Sequence, residues 1–211
     1  MSECTNSAPA SRPDADETAC AATPAVAAAG ADLPHDLPIF LVGMMGAGKT
    51  TIGRGLARAL GREFIDLDHE LESRCGVRVP VIFEIEGEGG FRKREAAALD
   101  HCTQRRGIVL ATGGGAVLAP ENRRLLRQRG VVVYLRASVD ELFRRTSRDR
   151  NRPLLANPDP RGTLRDLMTK REPLYEEVAD LIVDTGTMPV AHLVKSLLPL
   201  LQAYEKPHDR C

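Results

Sequence analysis

Residues 43–50 read GMMGAGKT and stand directly after the apolar run PIFLV. Gly43, Gly46 and Gly48 fall within six residues, and one lysine and one threonine follow the last of them. Such spacing suits a phosphate anion: glycines let backbone N–H groups turn toward it, and a helix start beyond them adds partial positive charge. In a loop of this kind the backbone of Gly46, Ala47 and Gly48 cradles the phosphates, with Thr50 and Thr51 opening the helix. Lys49 reaches the β- and γ-phosphates, and the Thr50 hydroxyl ligates Mg²⁺. A glycine-rich turn without chemistry would need neither the strand-like run before it nor the helical pattern TIGRGLARAL after it.

Other residues could complete such a site. FIDLD sets Asp66 and Asp68 two residues apart at the end of a strand-like run, on one side of a strand. One carboxylate can hold the Mg²⁺ shell while the other orients or deprotonates an attacking hydroxyl; capping the next helix is the alternative use. In GFRKRE, Arg92 and Glu95 share a helical face. That spacing ordinarily marks a surface ion pair, and anion binding is the other use of Arg92. Gly113, Gly114 and Gly115 end a buried strand, where one glycine would make the turn; three imply that something lies against the backbone. Five arginines, Arg144, Arg145, Arg148, Arg150 and Arg152, fall within nine residues. They read as a solvated basic loop or as a lid over a triphosphate. Arg171, in KREPLY, stands two residues before Pro173, which predicts a kink or restart of its helix.

Elements able to position these residues follow from residue 38 onward, where β-branched and leucine-rich runs alternate with helical patterns. PIFLVG, FIDLD, IVLAT, VVVYL and DLIVDT read as five short strands separated by helices. Thr163 with Asp166 predicts the cap of a helix reaching about residue 178. Alternation of this kind implies right-handed βαβ crossovers, a parallel sheet covered on both faces, and ligands at the strand C-terminal ends.

Residues 1–36 are rich in Ala, Pro, Ser, Thr and Asp, and ordering them would cost more entropy than burial returns, so a disordered acidic leader is expected. Residues 1–38 hold one basic and six acidic side chains, leaving 28 basic and 23 acidic in the rest. A body charge of +5 suits a small anion and is too weak to argue for nucleic acid. The five cysteines are scattered without metal-ligand spacing, which favours reduced thiols. No run is long enough to span a membrane, and the acidic N-terminus lacks the features of a signal or transit peptide. A cytoplasmic protein without membrane or nucleic-acid partners, and a monomer, is expected.

Taken in order, GMMGAGKT, FIDLD, GFRKRE, TGGGAV, NRPLL and KREPLY closely resemble the shikimate kinase family, over about residues 38–200. The resemblance implies an α/β fold like that of nucleoside monophosphate kinases: a three-layer, five-stranded parallel sheet in order 2-3-1-4-5, with helices on both faces. It also implies a kinase domain over residues 37–204, a mobile lid at about 147–162 and a tail at 205–211. The implied reaction moves the γ-phosphoryl of ATP, with Mg²⁺, to the 3-hydroxyl of shikimate, on the pathway to chorismate and aromatic amino acids. Carried over by position, Lys49 and Thr50 serve ATP and Mg²⁺, and Asp66 stands in the outer shell of the metal. Asp68 contacts the shikimate hydroxyls and acts as base, Arg92 and Arg171 grip the carboxylate, and Gly113–Gly115 lie against the ring. Arg152 belongs to the lid and reaches the phosphates, and Arg145 lies near the adenine. VDTGTMP departs from the pattern of some members by carrying no arginine against the base. A gluconate kinase of the same fold, or a silent nucleotide-binding regulator, are the competing readings.

Overall fold

The computed structural model describes residues 37–147, 155 and 157–204. The leader, the tail, Arg148, Arg150, Arg152 and much of the expected lid lie outside them. Strands β1 (Ile39–Val42), β2 (Glu63–Asp66), β3 (Ile108–Ala111), β4 (Val131–Arg136) and β5 (Leu181–Asp184) pair in parallel in the order β2-β3-β1-β4-β5. Every residue of β1 and β3 is buried, without alternation, as both faces of a parallel sheet are covered. Only at the β5 edge does exposure alternate.

The helices are α1 (Lys49–Leu60), α2 (Leu67–Cys75), α3 (Val79–Thr103), α4 (Pro120–Arg129), α5 (Val139–Thr146), α6 (Pro160–Val178) and α7 (Val190–Gln202). The step from β1 to β2 runs across the sheet against the direction of the three later steps. Right-handed crossovers therefore put α1 on one face and α3, α4 and α6 on the other. Packing of α7 along α1, and of α6 against β4, fits that division. Because β1 and β3 are neighbours whose outgoing connections leave in opposite directions, a crevice opens at their C-terminal ends. GMMGAGKT and the triple glycine leave from those two ends. No helix among the described residues is long and apolar enough to cross a membrane.

Local structure departs from the sequence expectation in three places. Strand β2 ends at Asp66, so Asp68 lies in the first turn of α2 and is not on the strand face expected of it. Asp159 caps α6 by accepting from Gly162 N at 2.9 Å, with Pro160 in the first position, so the helix starts ahead of Thr163. Helix α6 then runs past Pro173 to Val178; the buried side chains of Arg171 and Tyr175 fasten it on both sides of the proline. The interruption falls instead in α3, where Gly87 takes φ 67 and ψ −174.

Candidate active site

Gly43, Gly46 and Gly48 have φ of 139°, 82° and 96°, a region that strains any other residue. Space is equally short: a Cβ on Gly43 would lie 2.6 Å from the Leu135 carbonyl oxygen. Gly48 caps α1 without a side chain, leaving the first N–H groups of the helix directed at the crevice. Lys49 Nζ donates to the Gly43 and Met44 carbonyls at 2.8 and 3.0 Å, lying across the loop it closes.

Asp66 performs two tasks with its two oxygens. Oδ1 accepts from Asp68 N at 3.2 Å, capping α2, and Oδ2 accepts from the Thr50 hydroxyl at 2.8 Å. The capping use open for this aspartate is therefore realised, with its second oxygen held on the Thr50 hydroxyl. A cavity of about 380 Å³ lies over the loop and is lined by Lys49, Thr50, Asp66, Asp68, Gly114 and Arg145 among others. A second recess of about 320 Å³ shares Gly48, Thr51 and Arg145 with it and extends to Arg144, Thr185, Gly186 and Met188. Arg145 joins the two by donating to the carbonyls of Gly46, at 3.2 Å, and Gly186, and to the Thr185 hydroxyl at 3.0 Å. The stretch without arginine, VDTGTMP, thus faces an arginine from α5, Arg144, across that recess.

Opposite the loop, α3 and α6 bring charge into the interior. Arg92 pairs with Glu95 at 2.7 Å and with Glu88 at 3.1 Å. Glu95 is 1% exposed and Arg92 is half-buried, so the pair expected at the surface has its carboxylate in the interior. Among the described residues its Oε1, like Arg92 Nε, has no hydrogen-bond partner. Burial works against the charge of Arg92, but Glu95 and Glu88 outweigh it and raise the guanidinium pKa. For Glu95 burial prevails over the attraction of Arg92, and its carboxyl is raised above the ordinary value of 4.5. Arg171, 4% exposed, donates Nη1 to the Gly114 carbonyl at 3.3 Å.

None of Gly113, Gly114 and Gly115 has positive φ. They are glycine for lack of room, each facing a different part of the site. A Cβ on Gly113 would lie 2.5 Å from Glu95 Oε1 and 3.2 Å from Asp68 Oδ1; one on Gly114 would lie 3.3 Å from Met45 N. On Gly115 it would collide with the Arg92 guanidinium. The structure thus brings together Lys49, Thr50, Asp66, Asp68, Arg92, Gly113–Gly115, Arg145 and Arg171, while Arg152 lies outside the described residues. Sequence reasoning missed Glu95 as a buried group, which only tertiary packing reveals. It also missed Tyr175, whose hydroxyl donates to the Gly114 carbonyl at 2.5 Å. The signal was available, because Tyr175 follows Arg171 by four residues on one helical face.

A family model described as shikimate kinase matches residues 45–202. The shikimate kinase of Bordetella avium is 84% identical over 176 residues, spanning 83% of this chain and 84% of that protein. Shikimate kinase from Acinetobacter baumannii, solved in complex with shikimate, aligns with a TM-score of 0.77 at 52% identity, covering 78% of this chain and 92% of that one. A gluconokinase from Sinorhizobium meliloti shares the fold alone, with a TM-score of 0.52 at 20% identity over 79% of this chain and 92% of its own. Carrying this glycine-rich loop, these two arginines beside the triple glycine and this degree of likeness, the chain belongs to the shikimate kinase family.

Proposed function

We propose that this site transfers the γ-phosphoryl group of ATP to the 3-hydroxyl of shikimate. The observation that carries the reading is Arg171: a guanidinium 4% exposed that donates to the Gly114 carbonyl in the triple-glycine turn. Burying a cation is costly unless an anion meets it. With Arg92 approaching the same turn, two guanidinium groups suit a carboxylate, and the glycine backbone suits a flat hydroxylated ring.

In this reading Asp68 accepts the proton of the attacking hydroxyl. The 3-hydroxyl oxygen bonds to the γ-phosphorus, the bond from that phosphorus to the β,γ-bridging oxygen breaks, and ADP leaves. Gly46, Ala47, Gly48, Lys49 and Thr51 hold the phosphates, and the recess beside Arg145 takes the base. Arg152, outside the described residues, is assigned to the phosphates by the family resemblance. Thr50 and Asp66 would hold Mg²⁺. One hydroxyl and one carboxylate 2.8 Å apart fit an ion that takes its other ligands from phosphate and water. Among the described residues no cluster of three or more His, Cys, Asp or Glu offers a closed cage. When bound, the ion neutralises phosphate charge. The protein acts as a cytoplasmic monomer without membrane or nucleic-acid partners.

A coupled assay of ADP release with ATP and Mg²⁺ tests the reading. Shikimate should support turnover and gluconate should not; the reverse result would assign the site to a different hydroxy acid.

A further inference from the structure

We propose that the Tyr175 hydroxyl is a positioning group for shikimate, acting by fixing the orientation of the Gly114–Gly115 peptide. The proposal rests on the reading that the triple-glycine turn lies against shikimate, and deepens it. Residues Gly113 to Ala116 form a tight turn closed by Ala116 N donating to the Gly113 carbonyl at 3.1 Å. Gly115 has φ −103 and ψ 0, the values of the third residue of a type I turn. In such a turn the N–H groups of the two central residues take no part in the closing bond. Among the described residues neither Gly114 N nor Gly115 N has a partner. They are the donors that a substrate hydroxyl would meet.

Glycine at the third position carries a liability. Rotating the middle peptide by half a turn converts type I into type II, which requires positive φ there, and glycine adopts that at little cost. The Gly114 carbonyl and the Gly115 N–H belong to this one planar unit and point in opposite directions. Rotation would therefore turn the donor away and put an oxygen in its place. What opposes rotation is the grip on the Gly114 oxygen: Tyr175 Oη at 2.5 Å and Arg171 Nη1 at the longer 3.3 Å. Since Arg171 is the group assigned to the substrate carboxylate, the tyrosine is the holder to which no substrate contact is assigned. Its ring is fully buried and stacks on Tyr134 with centroids 5.1 Å apart, and its hydroxyl lies 3.6 Å from Met44 Sδ in the phosphate loop.

Tyr134 supplies the control. It is equally buried and shares the stack, but among the described residues its hydroxyl has no hydrogen-bond partner. The test is steady-state kinetics and calorimetric shikimate binding on Tyr175→Phe, Tyr134→Phe and Arg171→Lys in the full chain. Losing one hydrogen bond predicts a rise of roughly five- to tenfold in KM and Kd for shikimate in Tyr175→Phe, with kcat and the KM for ATP within about twofold. Tyr134→Phe should leave all of these unchanged. A purely structural role would lower Tm and leave the shikimate constants alone, or move them equally in both phenylalanine variants, and either result overturns the proposal. If Tyr175→Phe is silent while Arg171→Lys weakens shikimate, the hydroxyl is excluded and the site reading stands. If neither variant moves the shikimate constants, both fall.

Discussion

The two halves of the crevice are built by opposite means. On the phosphate side, the cradle is main chain, supplied by one contiguous stretch whose three glycines have positive φ. On the acceptor side, the polar groups are side chains from α2, α3 and α6, converging on a turn whose glycines have ordinary dihedrals and no room for a Cβ. One half needs backbone freedom, the other needs space. An anion common to all nucleotides can be met by peptide N–H groups, whereas a particular acid with particular hydroxyls requires charges placed from separate elements.

Lys49→Ala should break the phosphate half most severely, lowering kcat by about a thousandfold, since preorganised charge at transferring phosphates is the largest single contribution to such catalysis. Circular dichroism should remain native, because the lysine lines a cavity and its bonds to the Gly43 and Met44 carbonyls lie within one short loop. Near-normal turnover would show that the loop carries no phosphate. At the border between the halves, Asp68→Asn should reduce kcat by about a hundredfold while ATP binding persists. Asp66→Asn should instead raise the Mg²⁺ concentration needed for half-maximal rate. Identical Mg²⁺ profiles for the two variants would erase the division of labour between them.

Within the acceptor half, effects should move from kcat to KM. Arg171→Ala should raise the KM for shikimate by about ten- to a hundredfold with kcat largely kept, because the carboxylate is present in ground and transition states alike. A pure kcat effect would place this arginine on the phosphates. The smallest expected change is that of Glu95→Gln, a rise of about fivefold in the same KM, as a neutral amide orients Arg92 less firmly. The pH dependence sharpens this. Burial raises the Glu95 pKa, so on acidification it takes up a proton at a pH above the usual range for glutamate and releases its hold on Arg92. The KM of the parent enzyme should therefore climb as pH falls through that window, and that of Glu95→Gln should not. Stability has the opposite sense. The contribution of a group with raised folded pKa is complete below its unfolded value and is lost as pH rises through the folded one, so Tm should fall in the parent as pH rises above the ordinary glutamate range and vary less in the variant.

The same contrast explains what could be read from the sequence. The phosphate loop was legible because its function is local: spacing alone places Gly43, Gly48, Lys49 and Thr50. A parallel sheet covered on both faces followed from five apolar runs and the handedness of crossovers, whereas the strand order came from the family resemblance alone. Glu95 was misjudged because helical spacing reports which residues share a face and says nothing of whether that face is covered. Asp68 was placed on a strand since FIDLD continues the alternation for one step beyond the point where the Asp66 cap ends it. The spacing of Tyr175 from Arg171 shows a shared helical face, but its partner, the Gly114 carbonyl 61 residues away, is visible only in the fold.

Asp66 narrows what selection can do at this position. Asparagine would keep an oxygen for the α2 cap but lose the negative charge beside Thr50; glutamate would keep the charge, but its extra methylene displaces the oxygen from the cap. No single replacement satisfies both demands. A library sorted for folding would class Asp66 as structural, and one sorted for turnover would class it as catalytic. A compound anchored on this carboxylate would leave a resistant variant no one-step escape through Asp66 itself.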